Sequence, residues 1–471
     1  MLSVSYGIVT EEDPPAYCGS FDRIFATKVK SQPIVCELRE VSAETIYAPI
    51  VEELISLLKQ HNKWDSFEIA ISQALTYNLL EIQKLGISDR SSFLAYVDTL
   101  VTSWVPSENL EGKDIYHRLM IFSFIFEQRI LKDQQSSIHP SSANKPLSWL
   151  SQWLVRYAQA MGRHLDQPGS LTKESLQTFF DSPAYNMHDY IIPRGGWSTF
   201  NDFFARNFKP GYRPITALND DSVLVSPADS TFDGSWSINS TSSVNLKNIE
   251  WSIHDLLKDS PYADRFANGK FMHSFLNTFD YHRIHTPAAG KVLEARTIEG
   301  QAYMEVVVEA NAHTGAPQLG GERRASDAPS LEELGGQRRP SLYPTNAEEP
   351  INATIYAPDE PGYQFLQCRG LYVLDTPIGL VAVLPIGMAQ VSSVILTAEV
   401  GTELRKGEEL AYFQFGGSDV VVVVEGKSNV DFTAGLEQHY KMGEEIGRAR
   451  LGQTNSSTFF SSIHYGSNGN V

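Results

Sequence analysis

The chain has 471 residues, 42% of them apolar and 20% charged, and its 56 acidic and 38 basic residues give a formal net charge of −18. One hydrophobic core rarely serves more than about 250 to 300 residues, so we expect two folded domains. The composition excludes an intrinsically disordered protein. The negative charge argues against nucleic acid or an anionic membrane surface as a partner.

The cysteines and the first residues indicate the cellular compartment. Cys18, Cys36 and Cys368 are scattered and lack C-x-x-C spacing, so they support neither a disulfide framework nor a cysteine metal site. The first residues lack the basic start and apolar run of a secretory signal, and no apolar run of about 18 residues could span a bilayer. We therefore expect a cytoplasmic protein without integral membrane association.

Helical periodicity dominates from about residue 49 to residue 165. Pro49 suits a first helical turn, and Asp65-x-x-Glu68 predicts a capping box before a second helix. The apolar stripes are Ile50, Leu54, Leu57 and Leu58; Phe67, Ile71, Leu75, Leu79 and Ile82; Phe93, Val97, Leu100, Val101 and Trp104; and the segments 119–131 and 149–161. We expect these stripes to form the core of an all-helical domain without catalytic groups.

After Pro193 the pattern changes to short apolar runs separated by Gly, Pro, Asn and Asp, which is typical of β-structure. The predicted strands cover 223–227, 302–309, 370–375, 379–385 and 419–425, and a helix is predicted at Ile253–Leu257. The polar segment at about 310–350 predicts a disordered insertion, in which Ser326 and Ser341 are candidate phosphorylation sites.

These patterns predict an α+β protein. We expect an N-terminal extension at 1–40, a helical domain at 41–190 and a mostly β catalytic domain, of sandwich or barrel type, at 191–471.

Three segments of the β region carry side chains suited to chemistry. Asp229 lies in V-S-P-A-D-S, His282 and His285 lie in Y-H-R-I-H-T-P, and Ser418 lies in F-Q-F-G-G-S-D. An acid, a histidine and a serine are the parts of an activated nucleophile. Each residue alone also fits turn chemistry, and H-x-x-H occurs as half of a metal site, although no third ligand has a recognisable spacing. Five valines follow the serine, so the strand–turn–helix of a G-x-S-x-G hydrolase is not indicated.

Five ordered segments resemble the signatures of the phosphatidylserine decarboxylase family. They are W-S-T-F-N-D-F-F-A-R-N-F-K-P-G-Y-R-P-I at 197–215, V-S-P-A-D at 225–229, Y-H-R-I-H-T-P-A-A-G at 281–290, L-P-I-G-M-A-Q-V-S-S-V at 384–394 and G-T-E-L-R-K-G-E-E-L-A-Y-F-Q-F-G-G-S at 401–418. The resemblance covers nearly all of the chain after Trp197. Five motifs in the family's order make the resemblance more specific than any single motif would.

The resemblance implies self-cleavage between Gly417 and Ser418. The serine hydroxyl would attack the glycine carbonyl with help from His285, and Asp229 would orient that histidine. The products would be a β chain, 1–417, and an α chain, 418–471, which remain associated. Ser418 would become a covalently bound pyruvoyl group, so no separate cofactor and no metal would be needed.

The implied reaction is loss of the substrate's α-carboxylate as CO2 through a Schiff base on the pyruvoyl group. By resemblance, His282 is a candidate for contacting the substrate or for donating a proton to the product. We expect Arg206 and Arg213, in the first segment, to tie that segment to the core rather than to bind substrate.

The acidic charge and the absence of a membrane-spanning segment argue against a lipid substrate. The helical first half, S-F-L-N-T-F-D-Y-H-R at 274–283, I-G-M at 386–388 and the serine after Asp229 resemble the soluble fungal branch of the family, which includes L-tryptophan decarboxylases of secondary metabolism. We therefore expect a soluble, tryptophan-like amino acid as the substrate. Met388 and Phe415 are pocket candidates, although core packing is an alternative for both.

Several alternatives stay open at this stage. The chain could decarboxylate phosphatidylserine to phosphatidylethanolamine, or it could be an uncleaved pseudoenzyme that binds a partner. A homodimer is also possible. Asp419 departs from the Thr or Ser that is common in the family, and its carboxylate could act as an extra base or oppose the ester oxyanion.

Overall fold

The computed structural model describes residues 46–310, 353–357, 362–387, 394–415 and 418–450. Within these ranges the α-helices are α1 Pro49–Gln60, α2 Trp64–Leu75, α3 Leu80–Lys84, α4 Arg90–Thr102, α5 Asp114–Phe126, α6 Arg129–Lys132, α7 Trp149–Leu165, α8 Lys173–Asp181, α9 Phe200–Phe204 and α10 Ile253–Leu257. The helices therefore concentrate before residue 205, as predicted, and the helix at Ile253–Leu257 is confirmed.

The strands follow almost entirely after residue 222, so the α+β prediction is confirmed. They are β1 Val223–Val225, β2 Ser230–Ser237, β3 Ser243–Leu246, β4 Ile249–Ser252, β5 Lys270–Leu276, β6 Arg283–His285, β7 Gly290–Ile298, β8 Val307–Ala310, β9 Ala353–Tyr356, β10 Arg369–Thr376, β11 Gly379–Gly387, β12 Val394–Leu396, β13 Glu403–Leu404, β14 Glu409–Phe413, β15 Ser418–Val424, β16 Val430–Phe432, β17 His439–Tyr440 and β18 Glu445–Ala449.

Two details of the helical prediction were wrong. Asp65 does not cap α2, because the helix already begins at Trp64 and Lys63 stands at the N-cap without a side-chain hydrogen bond. The stripe predicted through Ile82 is divided between α2 and α3, and Asn78 has a positive φ of 50° in the connection between them. The N-terminus of α4 has a capping box instead, formed by Asp89 and Ser92.

One sheet organises the β region. It has eight strands in the order β13-β7-β10-β11-β15-β5-β2-β17, and its neighbouring strands are antiparallel. β15 lies inside this sheet, with β11 on one side and β5 on the other. Smaller sheets, β1-β18-β16 and β12-β14-β6, accompany it, and β3-β4 and β8-β9 form two-stranded pairs.

Both faces of the large sheet are buried, which explains the run of five valines. Val420, Val422 and Val424 belong to a large core shared with the helices, whereas Val421 and Val423 belong to a smaller core on the opposite face. The smaller core includes α10, the β3-β4 pair and the 3-10 helix Tyr363–Phe365. A strand covered on both faces needs apolar residues at successive positions rather than at alternate ones.

The helices and the large sheet share one continuous core. Buried side chains from α1 through α9 belong to the same cluster as the β15 valines of that face. The domain boundary near residue 190 stays a prediction, but in this structure the helices are part of the covering of the sheet.

Some predictions fall outside the described residues or differ in detail. The run 302–309 is a strand only from Val307 onward. The extension 1–40 and most of the polar segment at about 310–350, with Ser326 and Ser341, lie outside the described residues.

Candidate active site around Ser418

Ser418 is the first residue of β15, and its side chain is completely buried. Its backbone lies between Gly387 of β11 and Leu276 of β5. No described residue forms a hydrogen bond with its Oγ atom. Gly417, whose carbonyl is the predicted target, and Met388, a predicted pocket residue, lie outside the described residues. The site therefore offers a buried hydroxyl that is not committed to another described group.

Asp419 points to the opposite face of the sheet from Ser418, because successive side chains alternate along a strand. Its Oδ2 atom lies 3.1 Å from Nε2 of His273 and accepts a 2.9 Å hydrogen bond from Gln364. The sheet thus separates this carboxylate from the serine hydroxyl. This placement does not fit the role of Asp419 as a base for the serine hydroxyl.

His282 immediately precedes β6 and is completely buried. Its Nδ1 lies 2.9 Å from the carbonyl oxygen of Asp280, which can only accept, so Nδ1 carries the hydrogen. Nε2 then presents a lone pair, and no described group bonds to it. Burial, helped by the charge of Arg206, places the pKa of His282 well below its ordinary value. His282 is therefore a neutral group with one uncommitted acceptor nitrogen.

His285 ends β6 and has both ring nitrogens engaged. Nδ1 donates a 2.8 Å hydrogen bond to the Gly407 carbonyl, and Nε2 accepts a 3.0 Å hydrogen bond from the Tyr281 hydroxyl. Burial lowers the pKa of His285 below its ordinary value, although the Gly407 carbonyl opposes this shift. The neutral ring can accept a proton once Nε2 separates from the tyrosine.

Asp229 lies between β1 and β2 and does not hydrogen-bond to His285, in contrast to the predicted orienting role. Its carboxylate accepts bonds of 2.9 and 2.5 Å from Nε and Nη2 of Arg213, and a 2.8 Å bond from the backbone of Met442. The two segments are nevertheless neighbours, because the backbone N–H of His285 donates a 2.8 Å bond to the Pro227 carbonyl. Asp229 therefore influences His285 through its charge rather than by direct contact.

Aromatic rings surround the segment that leads to the cleavage position. Phe415 is buried, with its ring centre 5.5 Å from those of Trp104 and Phe204 and 5.3 Å from that of Phe200. Phe204 also packs against the His282 ring, with a distance of 3.9 Å between the ring centres. One aromatic ring thus connects the uncommitted histidine with the chain three residues before Ser418.

The two arginines of the first motif segment have structural contacts, as expected from the sequence. Arg206 does tie its segment to the core, because it donates to the carbonyls of Phe279 and Asp280. Arg213 also has a structural contact, but its partner is Asp229 itself. Sequence reasoning did not find Tyr281 or His273. Tyr281 had no signal beyond its place beside the two histidines, and His273 had none. The partners of these residues are brought to them by the fold.

The described residues offer neither a metal site nor a membrane-spanning helix. Among them, no three His, Cys, Asp or Glu side chains are grouped so that they could hold a metal ion. None of the helices in the described ranges is both long enough and apolar enough to cross a membrane.

Comparison with known proteins agrees with the motifs. The model of the phosphatidylserine decarboxylase family matches residues 200–448, just over half of the chain. Phosphatidylserine decarboxylase proenzyme 3 of Schizosaccharomyces pombe is 29% identical over 61% of this chain, but the match spans only 25% of that protein. The corresponding proenzyme of Fusobacterium nucleatum is 25% identical over 61% of this chain and 82% of its own length.

A relative with a different name has similar coverage. Decarboxylase iboD of Amanita muscaria is 27% identical over 59% of this chain and 75% of its own length. The family match includes the segments of Asp229, the two histidines and Ser418. The chain therefore belongs to the phosphatidylserine decarboxylase family, whose members are pyruvoyl-dependent carboxy-lyases made as self-cleaving proenzymes.

Proposed function

We propose that this chain cleaves itself between Gly417 and Ser418 and uses the resulting pyruvoyl group to decarboxylate a soluble amino acid. The observation that carries the proposal is the buried, uncommitted hydroxyl of Ser418 at the start of β15. Two glycines precede it, and a backbone without Cβ atoms gives the hydroxyl an unhindered approach to the carbonyl. These features support the conversion of Ser418 to a pyruvoyl group at its position in the chain.

The cleavage step can be written with all atoms balanced. Oγ of Ser418 bonds to the carbonyl carbon of Gly417, the C–N bond breaks, and the hydroxyl proton passes to the released amine. Loss of the Ser418 Cα proton then breaks the Cβ–Oγ bond of the ester and leaves Gly417 as a carboxylic acid. Water then adds to the dehydrated residue, and its nitrogen leaves as ammonia. One water is consumed and one ammonia is released.

His285 is the base that we assign to the hydroxyl proton. Its ring is neutral, and its Nε2 lone pair becomes available when the Tyr281 hydroxyl moves away. The charge of the nearby Asp229 raises the pKa of His285 and so favours the protonated ring that forms during the step. His285 thus keeps its predicted role as the base, and Asp229 assists it through its charge instead of through a hydrogen bond.

In the mature protein, the pyruvoyl carbonyl would supply the electron-withdrawing group that stabilises the carbanion left by CO2. His282 is the residue that we assign to proton movement on the substrate. Its Nε2 can accept a proton from the substrate ammonium group and return it to Cα after CO2 has left. Its burial beside Phe204 excludes water from this exchange.

An aromatic amino acid is the substrate that we favour. The rings of Trp104, Phe200, Phe204 and Phe415 cluster beside the cleavage segment, and aromatic walls suit an aromatic side chain. The net charge of −18 disfavours an anionic lipid surface. Phosphatidylserine is the second candidate, because most of the similar proteins bear the name of that decarboxylase.

Intact-mass measurement after expression tests the self-cleavage. We expect the wild-type chain to give two fragments, with an α fragment that is one ammonia lighter than 418–471 beginning with serine. Ser418→Ala and His285→Ala should stay uncleaved, whereas His282→Ala should be cleaved but inactive. A wild-type chain that remains in one piece would overturn the proposal and favour a pseudoenzyme that acts as a binding protein.

A substrate panel separates the two candidates. Purified protein is incubated with tryptophan, tyrosine, phenylalanine and phosphatidylserine vesicles, and the amine products and CO2 are measured with Ser418→Ala as the control. Amine formed from tryptophan but not from the vesicles supports the amino-acid proposal, and the reverse result replaces it by the lipid reaction. The homodimer and the cytoplasmic location stay predictions.

A further inference from the structure

A buried ionic cluster lies on the face of the sheet opposite the Ser418 hydroxyl. It consists of Asp233, His273, Gln364 and Asp419, and the last three are completely buried. The His273 ring lies between two carboxylates, with Nδ1 2.6 Å from Oδ2 of Asp233 and Nε2 3.1 Å from Oδ2 of Asp419. Gln364 donates a 2.9 Å hydrogen bond to the same oxygen of Asp419. The self-cleavage step described above does not use this cluster.

The sheet places these groups together through strand register and one irregularity. His273 and Asp419 share a face on the neighbouring strands β5 and β15, where Phe275 pairs with Asp419 and His273 pairs with Val421. The pairing of β2 with β5 shifts register between Phe232 and Gly234, which is where Asp233 lies. A bulge of this kind re-aims a side chain, and here it directs the Asp233 carboxylate to the His273 ring.

A charged cluster at this position needs a physical reason. Burial alone lowers the pKa of His273, but the carboxylates of Asp419 and Asp233 outweigh it and raise this pKa to about 10. Buried ion pairs are seldom more stabilising than apolar residues of similar size, and position 419 lies directly before five valines. An apolar residue would therefore serve the sheet at least as well, so stability alone does not explain the cluster.

We infer that Asp419 is a positioning residue for self-cleavage, which holds residue 418 in place through its contact with His273. The inference rests on the proposed self-cleavage. Asp419 is bonded directly to the residue that reacts, and its side chain is fixed from the far side of the sheet by groups of β5 and of the 3-10 helix at 363–365. After the cut, Asp419 secures the new end of the α chain in addition to the pairing of β15 with β11 and β5.

This role has a chemical consequence that differs from general stability. The ester formed by Ser418 has two fates: loss of the Cα proton breaks the ester C–O bond and leads to pyruvoyl, whereas attack of one water on the ester carbonyl leaves Gly417 as an acid and an α chain that begins with serine. Elimination requires a defined orientation of the Cα–H bond relative to the Cβ–Oγ bond. A loosely held residue 418 should therefore yield more of the serine-ended fragment.

Asp419→Ala, Asp419→Asn and Val423→Ala test the inference. Asp419→Ala removes the acceptor, whereas Asp419→Asn keeps a side-chain oxygen that His273 can contact. Val423→Ala is the matched control, because Val423 is completely buried on the same strand and the same face but pairs with Phe271 rather than with His273. Cell-free synthesis followed by intact-mass sampling gives the cleavage rate and the ratio of the two α fragments. Melting temperatures are taken in a Ser418→Ala background, where no cleavage intervenes.

We expect Asp419→Ala to slow cleavage by about tenfold or more, which corresponds to ~1.4 kcal/mol of activation free energy, and to produce serine-ended fragment. Asp419→Asn should recover most of the rate and give mainly pyruvoyl. Val423→Ala should lower the melting temperature yet cleave within about twofold of wild type. If Asp419→Ala cleaves as fast as Val423→Ala and gives the same fragments, the positioning role is wrong. An uncleaved wild type would instead refute the proposed function itself.

Discussion

Arg213 is linked by a series of contacts to His285, the residue proposed as the base. Its guanidinium donates to both carboxylate oxygens of Asp229, lies within 3.3 Å of Asp189 and stacks on the Phe208 ring at 3.7 Å. Phe208 in turn packs against Tyr281, whose hydroxyl contacts His285. A continuous set of contacts thus leads from the guanidinium to the proposed base.

Arg213→Ala should destabilise the protein substantially. It would leave the buried Asp229 carboxylate without its cation, and removal of one partner of a buried ion pair usually costs ~3 kcal/mol or more. The free energy of unfolding in denaturant, measured in the uncleavable Ser418→Ala background, checks this. Arg448→Ala is the control, because Arg448 is exposed and its partners Glu445 and Asp220 are at least partly exposed, so little change is expected. Equal effects of the two substitutions would contradict this account of the pair.

At the residue scale, the sequence motifs supplied the candidate residues but not the partners that these residues have in the fold. Ser418, His282 and His285 were found because each lies in a dense local motif. The partner of Asp229 is 16 residues away, and the partner of Asp419 is on another strand. Local patterns carry no information on such pairs, so the orientation expected for Asp229 and the position expected for the Asp419 charge both required the fold.

At the scale of elements, α9 holds the chain that leads to the cleavage position. Asn201 of α9 accepts a 3.1 Å hydrogen bond from the backbone N–H of Phe415, and its amide donates to Oδ1 of Asp166 at 2.9 Å and to the Gly162 carbonyl at 3.2 Å. Phe200 and Phe204 of the same helix pack on Phe415. A five-residue helix thus connects the end of α7 with the residues just before the two glycines.

Asn201→Ala should slow self-cleavage. The substitution leaves the buried N–H of Phe415 without its acceptor, at a cost of about 1 to 3 kcal/mol, and releases one end of the reacting segment. The half-life of the precursor by gel or mass spectrometry is the measurement. Asp202→Ala is the control on the same helix, because its side chain is exposed. An unchanged half-life for Asn201→Ala would show that this segment needs no such attachment.

Elements were predicted well where the pattern was long and poorly where a cap or a short connection decided the outcome. The valine run of β15 and the stripe of α7 are confirmed. Asp65 looked like a cap because its spacing to Glu68 matched, yet α2 begins one residue earlier. Tertiary packing of the helix selects the first turn, and a four-residue motif does not record that packing.

At the scale of the whole molecule, the two expected fragments are interleaved. β15 of the α chain lies between β11 and β5 of the β chain, β18 pairs with β1, and β17 pairs with β2. The valines of β15 also enter both cores. Cleavage therefore removes one covalent bond without removing the packing between its products.

The cleaved fragments should migrate as one particle under native conditions. Seven backbone pairs on each side of β15 and its buried valines hold the α chain in place. Size-exclusion chromatography of the mature protein, followed by mass spectrometry of the peak, should recover both fragments in equal amounts. They should separate only in denaturant. Loss of the α fragment from the native peak would contradict this expectation.

The interior position of β15 also decides what happens to the protein once it has been unfolded. The precursor closes its sheet within one chain, so its return to the native state does not depend on concentration. A processed molecule must bring a separate strand into the middle of a sheet, which makes the same event a bimolecular encounter between partners with exposed apolar edges. The lifetime of the processed protein therefore depends on how slowly its two chains come apart.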